Sequence, residues 1–176
     1  MGFFKEELKH IRAFIFDVDG VLSCDTSPLN EQGEPVRTSN VKDGFAIRNA
    51  INFGYPIAVI TGGYMESVRL RHEKLGVKYY YDKVRDKVEC LNDFIGKTGI
   101  GAQHILFMGD DLVDYKVMME VGIPVCPKDA VPDIKNISKY ISDKNGGEGC
   151  VRDVIEQTLR AQNKWFSKDM LFNNAF

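Results

Sequence analysis

Short apolar runs and amphipathic stretches alternate along most of this chain. The apolar runs cover residues 11–16, 57–60, 78–81, 105–108 and 122–126, with a last short one at 140–141. Ile57-Ala58-Val59-Ile60 is continuously apolar, the pattern of a strand buried on both faces. The stretches between them carry helical periodicity. Residues 43–53 place Ile47, Ala50 and Ile51 on one face and stop at Gly54, and residues 150–162 do the same with Val151, Val154, Ile155 and Leu159. Further helices are predicted over 64–75, 86–97 and 111–121, with a short one over 131–138. Strand–helix alternation of this kind predicts an α/β fold, a Rossmann-like parallel sheet with helices on both faces.

Two segments break the alternation. Residues 21–41 are polar and carry Pro28, Gly33 and Pro35 around a turn centred on residues 30–34, which predicts a projecting β-hairpin. Residues 163–176 hold Trp165, Phe166, Met170, Leu171, Phe172 and Phe176 without a clean period, which fits either a docking arm or a frayed end. The 176 residues suffice for one domain, 1–176, with this hairpin as an insertion and the arm as an appendage.

Composition narrows the function. Hydrophobic residues make up 44% and charged residues 27%, and 25 acidic against 23 basic residues leave a net charge of -2. That balance is globular and argues against a nucleic-acid partner. No apolar run reaches the about 20 residues that span a bilayer, and the charged start MGFFKEELKH is unlike a secretory signal, so a soluble, cytoplasmic protein without a membrane partner is expected. Cys24, Cys90, Cys126 and Cys150 are far apart and His10, His72 and His104 form no cluster, so zinc is not expected. Carboxylates are left to carry the chemistry.

Four polar features sit where predicted strands end: Asp17-Val18-Asp19-Gly20, Thr61-Gly62-Gly63, Lys87 and Gly109-Asp110-Asp111. Parallel sheets bind ligands beyond the carboxyl ends of their strands. Several carboxylates gathered there repel one another and need a cation to stay ionised; all-oxygen ligation suits Mg²⁺. Lys87, the Thr61 hydroxyl and the amides of Gly62 and Gly63, read as opening a helix, suit phosphate oxygens. A carboxylate can attack phosphorus to give an aspartyl-phosphate, and a second acid can protonate the leaving oxygen and then activate water.

The order Asp-x-Asp-Gly-Val, Thr-Gly-Gly, Lys, Gly-Asp-Asp-x-x-Asp resembles the haloacid dehalogenase superfamily of phosphatases, over about residues 11–162. Further marks are Val41-Lys42-Asp43-Gly44, Val68-Arg69-Leu70-Arg71, Leu75-Gly76-Val77 and Gly146-Gly147-Glu148-Gly149-Cys150-Val151-Arg152. Together they are similar to phosphatases of an eight-carbon sugar acid, 3-deoxy-D-manno-octulosonate 8-phosphate. The resemblance implies a capless superfamily core and Mg²⁺-dependent hydrolysis of that phosphorylated sugar acid in lipopolysaccharide precursor synthesis, or of a nine-carbon sugar-acid 9-phosphate by the same chemistry. It implies Asp17 as nucleophile and metal ligand, Asp19 as general acid/base with its carbonyl on the metal, and Asp110 as the third ligand. Thr61 and Lys87 would bind the phosphoryl group, with Gly62 and Gly63 beside it. Asp111 and Asp114 form a supporting shell, and Arg71, with Arg69 behind it, would meet the substrate carboxylate. Many relatives have Thr-Gly-Arg where this chain has Thr61-Gly62-Gly63, so no arginine role carries over to residue 63.

Each residue also has a plainer reading: a solvated turn for the Asp pair, a helix cap for Thr61, surface positions for Lys87 and the arginines, and a loop for 146–149. A receiver-like module uses similar residues, but its acidic pair precedes the phosphorylated Asp, the reverse of this order. A catalytically idle assembly module is the remaining alternative. Without a large cap the site would lie open to water, so neighbouring subunits are expected to supply a lid through the hairpin and the tail. The resemblance suggests a homotetramer.

Overall fold

The computed structural model describes residues 2–165. Six parallel strands form one sheet in the order β3-β2-β1-β4-β5-β6: β1 Ala13–Phe16, β2 Ile57–Ile60, β3 Tyr79–Tyr81, β4 Ile105–Met108, β5 Ile123–Cys126 and β6 Tyr140–Ile141. The helices between them are α2 Val41–Asn52, α3 Glu66–Leu75, α4 Lys87–Thr98, α5 Tyr115–Glu120 and α6 Pro132–Ile137, with α1 Gly2–Glu7 before the sheet and α7 Cys150–Ala161 after it. Side chains alternate along each strand and sort the helices into two layers. Phe14, Phe16 and Val59 pack with residues of α2, α3 and α7, while Ala13, Ile15 and Phe107 pack with residues of α4, α5 and α6. Burial of large side chains such as Phe14 and Phe94 contributes about 1.5–3 kcal/mol each.

Polar residues fix the helix ends. Asn40 accepts the Lys42 and Asp43 amides to start α2, Asp86 accepts the Val88 amide to start α4, and Gly76 closes α3 at φ +98°. Asp43 is buried and accepts the Arg152 amide at 2.7 Å, tying α2 to the first turn of α7.

Three expectations need correction. The hairpin over 21–41 is reduced to one antiparallel bridge, Leu29 to Pro35, closed by Asn30 accepting the Gln32 and Glu34 amides. Pro28 and Pro35 have no N–H, and the exposed segment has no sheet beside it to extend. The helix over 111–121 is a 3₁₀ turn, Leu112–Asp114, followed by the short α5, because the Asp114 side chain turns inward. The helix after Thr61 begins only at Glu66, since Met65 is extended at φ -154°, so Gly62 and Gly63 belong to a loop before it. Sequence periodicity did not reveal α1.

Of the expected arm, residues 166–176 lie outside the described ones. Trp165 folds back on its own chain. It is buried, edge-on to Phe45, beneath the guanidinium of Arg152 at 5.2 Å, and its carbonyl accepts Asn49 Nδ2. Trp165→Ala should therefore lower unfolding stability by about 3 kcal/mol in urea titration.

Candidate active site

The strand order places the topological switch between β1 and β4, where the chain has run outward through β2 and β3 and returns to the other side. Asp17 follows β1 and Asp110 follows β4, so the sheet itself brings these carboxylates together. Gly20, at φ +71°, takes the chain past them; a Cβ there would lie 1.9 Å from Asp110 Oδ2. Asp17, Asp19, Gly20, Thr61, Gly62, Gly63, Lys87, Asp110 and Asp111 line one cavity of about 450 Å³. Asp114 is fully buried beneath it.

Lys87 lies at the first position of α4 and reaches under the carboxylates. Its Nζ is 2.8 Å from Asp17 Oδ2 and 2.6 Å from Asp114 Oδ1. Burial opposes its charge, but the two carboxylates outweigh that and raise its pKa above the ordinary lysine value. Asp114 spends its second oxygen on the Asp110 amide at 3.2 Å. Asp17 Oδ1 accepts the Val18 amide at 2.6 Å. Thr61 is buried, and its hydroxyl accepts the Gly63 amide at 3.1 Å.

One ammonium does not neutralise three carboxylates. Burial, then Asp114, push the Asp17 carboxyl up to about 7 despite Lys87. Burial, then Asp17, Asp114 and Asp111, push Asp110 up to about 8. Carboxylate oxygens of Asp17, Asp110 and Asp114 lie within 4.8 Å of one another. Hard oxygen donors at this separation, held at such electrostatic cost, fit a divalent cation such as Mg²⁺. Asp17 and Asp110 line the cavity, whereas Asp114 is fully buried beneath it, so Asp17 and Asp110 are the carboxylates that face a bound cation.

Arg69 pairs with Glu73 and Asp82, and Arg71 lies against α2, its Nη2 2.8 Å from where a Cβ on Gly44 would be. Neither lines the cavity within the chain. Two guanidiniums that no sequence motif singled out are there instead. Arg85 lines the cavity, and Arg37 grips Asp19 through Nε–Oδ1 at 2.8 Å and Nη2–Oδ2 at 2.9 Å. Arg37 carried no readable signal, because only the folding of a polar loop brings it to a residue 18 positions earlier. The 146–149 glycines pack against the loop after β1: Gly147 N donates to Val21 O at 2.8 Å, and a Cβ on Gly146 would lie 2.0 Å from Gly20 O.

Residues 80–155 match the haloacid dehalogenase-like hydrolase family. A 3-deoxy-D-manno-octulosonate 8-phosphate phosphatase, KdsC, of Salmonella typhi is 36% identical over 156 residues, 89% of this chain and 83% of that one. The structure of the phosphatase of that name from Moraxella catarrhalis, in complex with magnesium ion, phosphate ion and KDO, superposes with a TM-score of 0.90 at 32% identity, covering 98% of this chain and 99% of that one. A cobalt-bound deoxy-D-mannose-octulosonate 8-phosphate phosphatase from Haemophilus influenzae superposes with a TM-score of 0.88 at 28% identity, covering 94% and 98%.

The raised carboxyls give metal-free stability a definite sign. The folded chain holds protons at Asp17 and Asp110 that the unfolded chain, near 3.8, has released. Stability is thus fully present below about pH 4 and lost as pH rises through about 8. Without metal, the thermal midpoint should fall from about pH 5.5 to about pH 8.5, and Mg²⁺ should raise it more at the higher pH than at the lower. Asp110→Asn should flatten the metal-free pH dependence and remove most of the Mg²⁺ response, both read by thermal denaturation.

Proposed function

The chain belongs to the 3-deoxy-D-manno-octulosonate 8-phosphate phosphatase family of haloacid dehalogenase-like hydrolases, and from that premise we propose that it hydrolyses this sugar-acid phosphate to the free acid and phosphate, in lipopolysaccharide precursor synthesis. The observation that carries the reading is the buried Asp17–Lys87–Asp114 array beside Asp110 at the switch point of the sheet.

Asp17 is the nucleophile. An oxygen of its carboxylate attacks phosphorus, the bond from phosphorus to the substrate's C8 oxygen breaks, and an aspartyl-phosphate forms. Asp19, across the cavity, gives a proton to the leaving alcohol oxygen. It then takes one from the water that attacks phosphorus, which releases phosphate and restores Asp17. Lys87 and the Thr61 hydroxyl hold phosphoryl oxygens, with Gly62 and Gly63 lining the same wall, and Asp114 keeps the ammonium in place. Asp111 accepts the Leu112 amide and shapes the turn after β4. The carboxylates of Asp17 and Asp110 with the Asp19 carbonyl would hold Mg²⁺, which supplies charge neutralisation for the transferring phosphoryl group.

Among the described residues no helix is long and apolar enough to cross a membrane, which supports a cytoplasmic placement without a membrane partner. The one-domain organisation over 1–176 rests on the continuous sheet and its two helix layers. The protein works as a homotetramer, in which the exposed loop around Leu29 and Val36 of one copy covers the site of the next; a cavity open to water supports this. In that arrangement Arg71, and Arg69 with it, meets the substrate of a neighbouring copy. A nine-carbon sugar-acid 9-phosphate is the second reading, because Gly63 leaves room at the cavity wall.

Phosphate release should require Mg²⁺ and favour the eight-carbon over the nine-carbon substrate. Asp17→Asn should lower kcat by at least about 10³-fold, since the nucleophile is lost. No turnover of any sugar-acid phosphate by the parent would sink the reading. Sedimentation should find a tetramer, and a fully active monomer would overturn the shared lid.

A further inference from the structure

Arg37 is an unusual presence at this site. It comes from the polar loop before α2, yet its side chain is only 8% exposed. Its fork takes both oxygens of Asp19, at 2.8 and 2.9 Å, and its Nη1 is 3.4 Å from the Tyr64 carbonyl. The space it fills exists because residue 63 is glycine: a Cβ there would lie 2.1 Å from Arg37 Nη2. Gly63 is not among the glycines with positive φ, so the backbone does not require glycine at this position; a side chain there would press on the guanidinium instead.

The arrangement conflicts with the work assigned to Asp19. Arg37 occupies both oxygens of Asp19, so a proton exchange with the leaving oxygen competes with that grip. A buried guanidinium cannot be left without an acceptor, because an unpaired buried charge is strongly unfavourable. Whatever releases Asp19 must offer Arg37 a replacement of matching shape, and the planar five-donor fork matches a carboxylate. Asp19 and Gly63 both line the cavity, so the replacement arrives with the ligand.

We propose that Arg37 is the residue that selects for a carboxylate on the substrate: its fork passes from Asp19 to the carboxylate of a bound sugar-acid phosphate, and that exchange frees Asp19 to act. A phosphate monoester without a carboxylate leaves Asp19 in the grip of Arg37 and turns over poorly. This inference rests on the phosphatase reading and deepens it. It assigns carboxylate recognition to a residue of the same subunit.

The test compares 3-deoxy-D-manno-octulosonate 8-phosphate with 4-nitrophenyl phosphate, which has no carboxylate, using the full chain with Mg²⁺. In Arg37→Ala, KM for the sugar acid should rise at least about tenfold, the weight of a charge-assisted bidentate contact. Turnover of 4-nitrophenyl phosphate should hold or increase, since Asp19 is no longer engaged. Arg37→Lys, which keeps the charge without the fork, should recover part of the discrimination. Arg37→Gln, which keeps most of the side chain without its charge, should give the same pattern as Arg37→Ala, and it decides the matter if Arg37→Ala does not fold. Equal losses on both substrates, or an unchanged ratio between them in the folded variants, would overturn the proposal. So would a parent enzyme that prefers no carboxylated phosphate over the matching phosphate without a carboxylate. A parent that prefers a different carboxylated phosphate overturns the octulosonate reading, and the same ratio measured on that ester then decides the role of Arg37.

Discussion

The chemistry of this protein depends on one buried ammonium group. Lys87 stands between Asp17 and Asp114, and without it the carboxyl edge of the sheet would gather three acids with no counter-charge among them. Breaking a buried pair of this kind by removing one partner costs about 3–5 kcal/mol, because the remaining charge stays buried. The ammonium is also insufficient: Asp17 and Asp110 still hold their protons far above the ordinary carboxylate range. The site is therefore built with an unmet need for positive charge, which a divalent cation answers.

The parts of this design fixed by backbone periodicity were legible in the sequence. Strand ends are readable from apolar runs, and a parallel sheet gathers the residues just beyond those ends. Asp17, Thr61, Lys87 and Asp110 could therefore be placed at one edge from the chain alone. Contacts made by side chains across loops were not legible. Arg37 has no pattern around it, and its guanidinium reaches Asp19 across the space beside Gly63. Arg69 and Arg71 are the opposite case: basic residues on a helix say nothing of which way they face, and within the chain they meet Glu73, Asp82 and the flank of α2. The helix after Asp111 shortened for a related reason, since the inward turn of Asp114 toward Lys87 overrides helical propensity.

Behind the site, the two helix layers are joined to it unequally. The layer of α4 delivers Lys87 directly. The layer of α2 and α7 touches the catalytic loop through backbone: Asp43 holds the start of α7, and the glycine loop before α7 lies on the turn beyond β1. One layer supplies a charge and the other supplies a shape.

The contact between Gly146 and Gly20 has a consequence for how this chain can change over time. Where two backbones touch, no side chain can shrink to make room for another. Most packing faults in a core can be repaired by a second change nearby, and so sequences drift. Here a first step at Gly146 has no compensating second step, and at Gly20 the obstacle is the Asp110 carboxylate itself. This pair should stay frozen while the surface around it diversifies, a fixed hinge point about which a lineage can vary its substrates but not its catalytic loop.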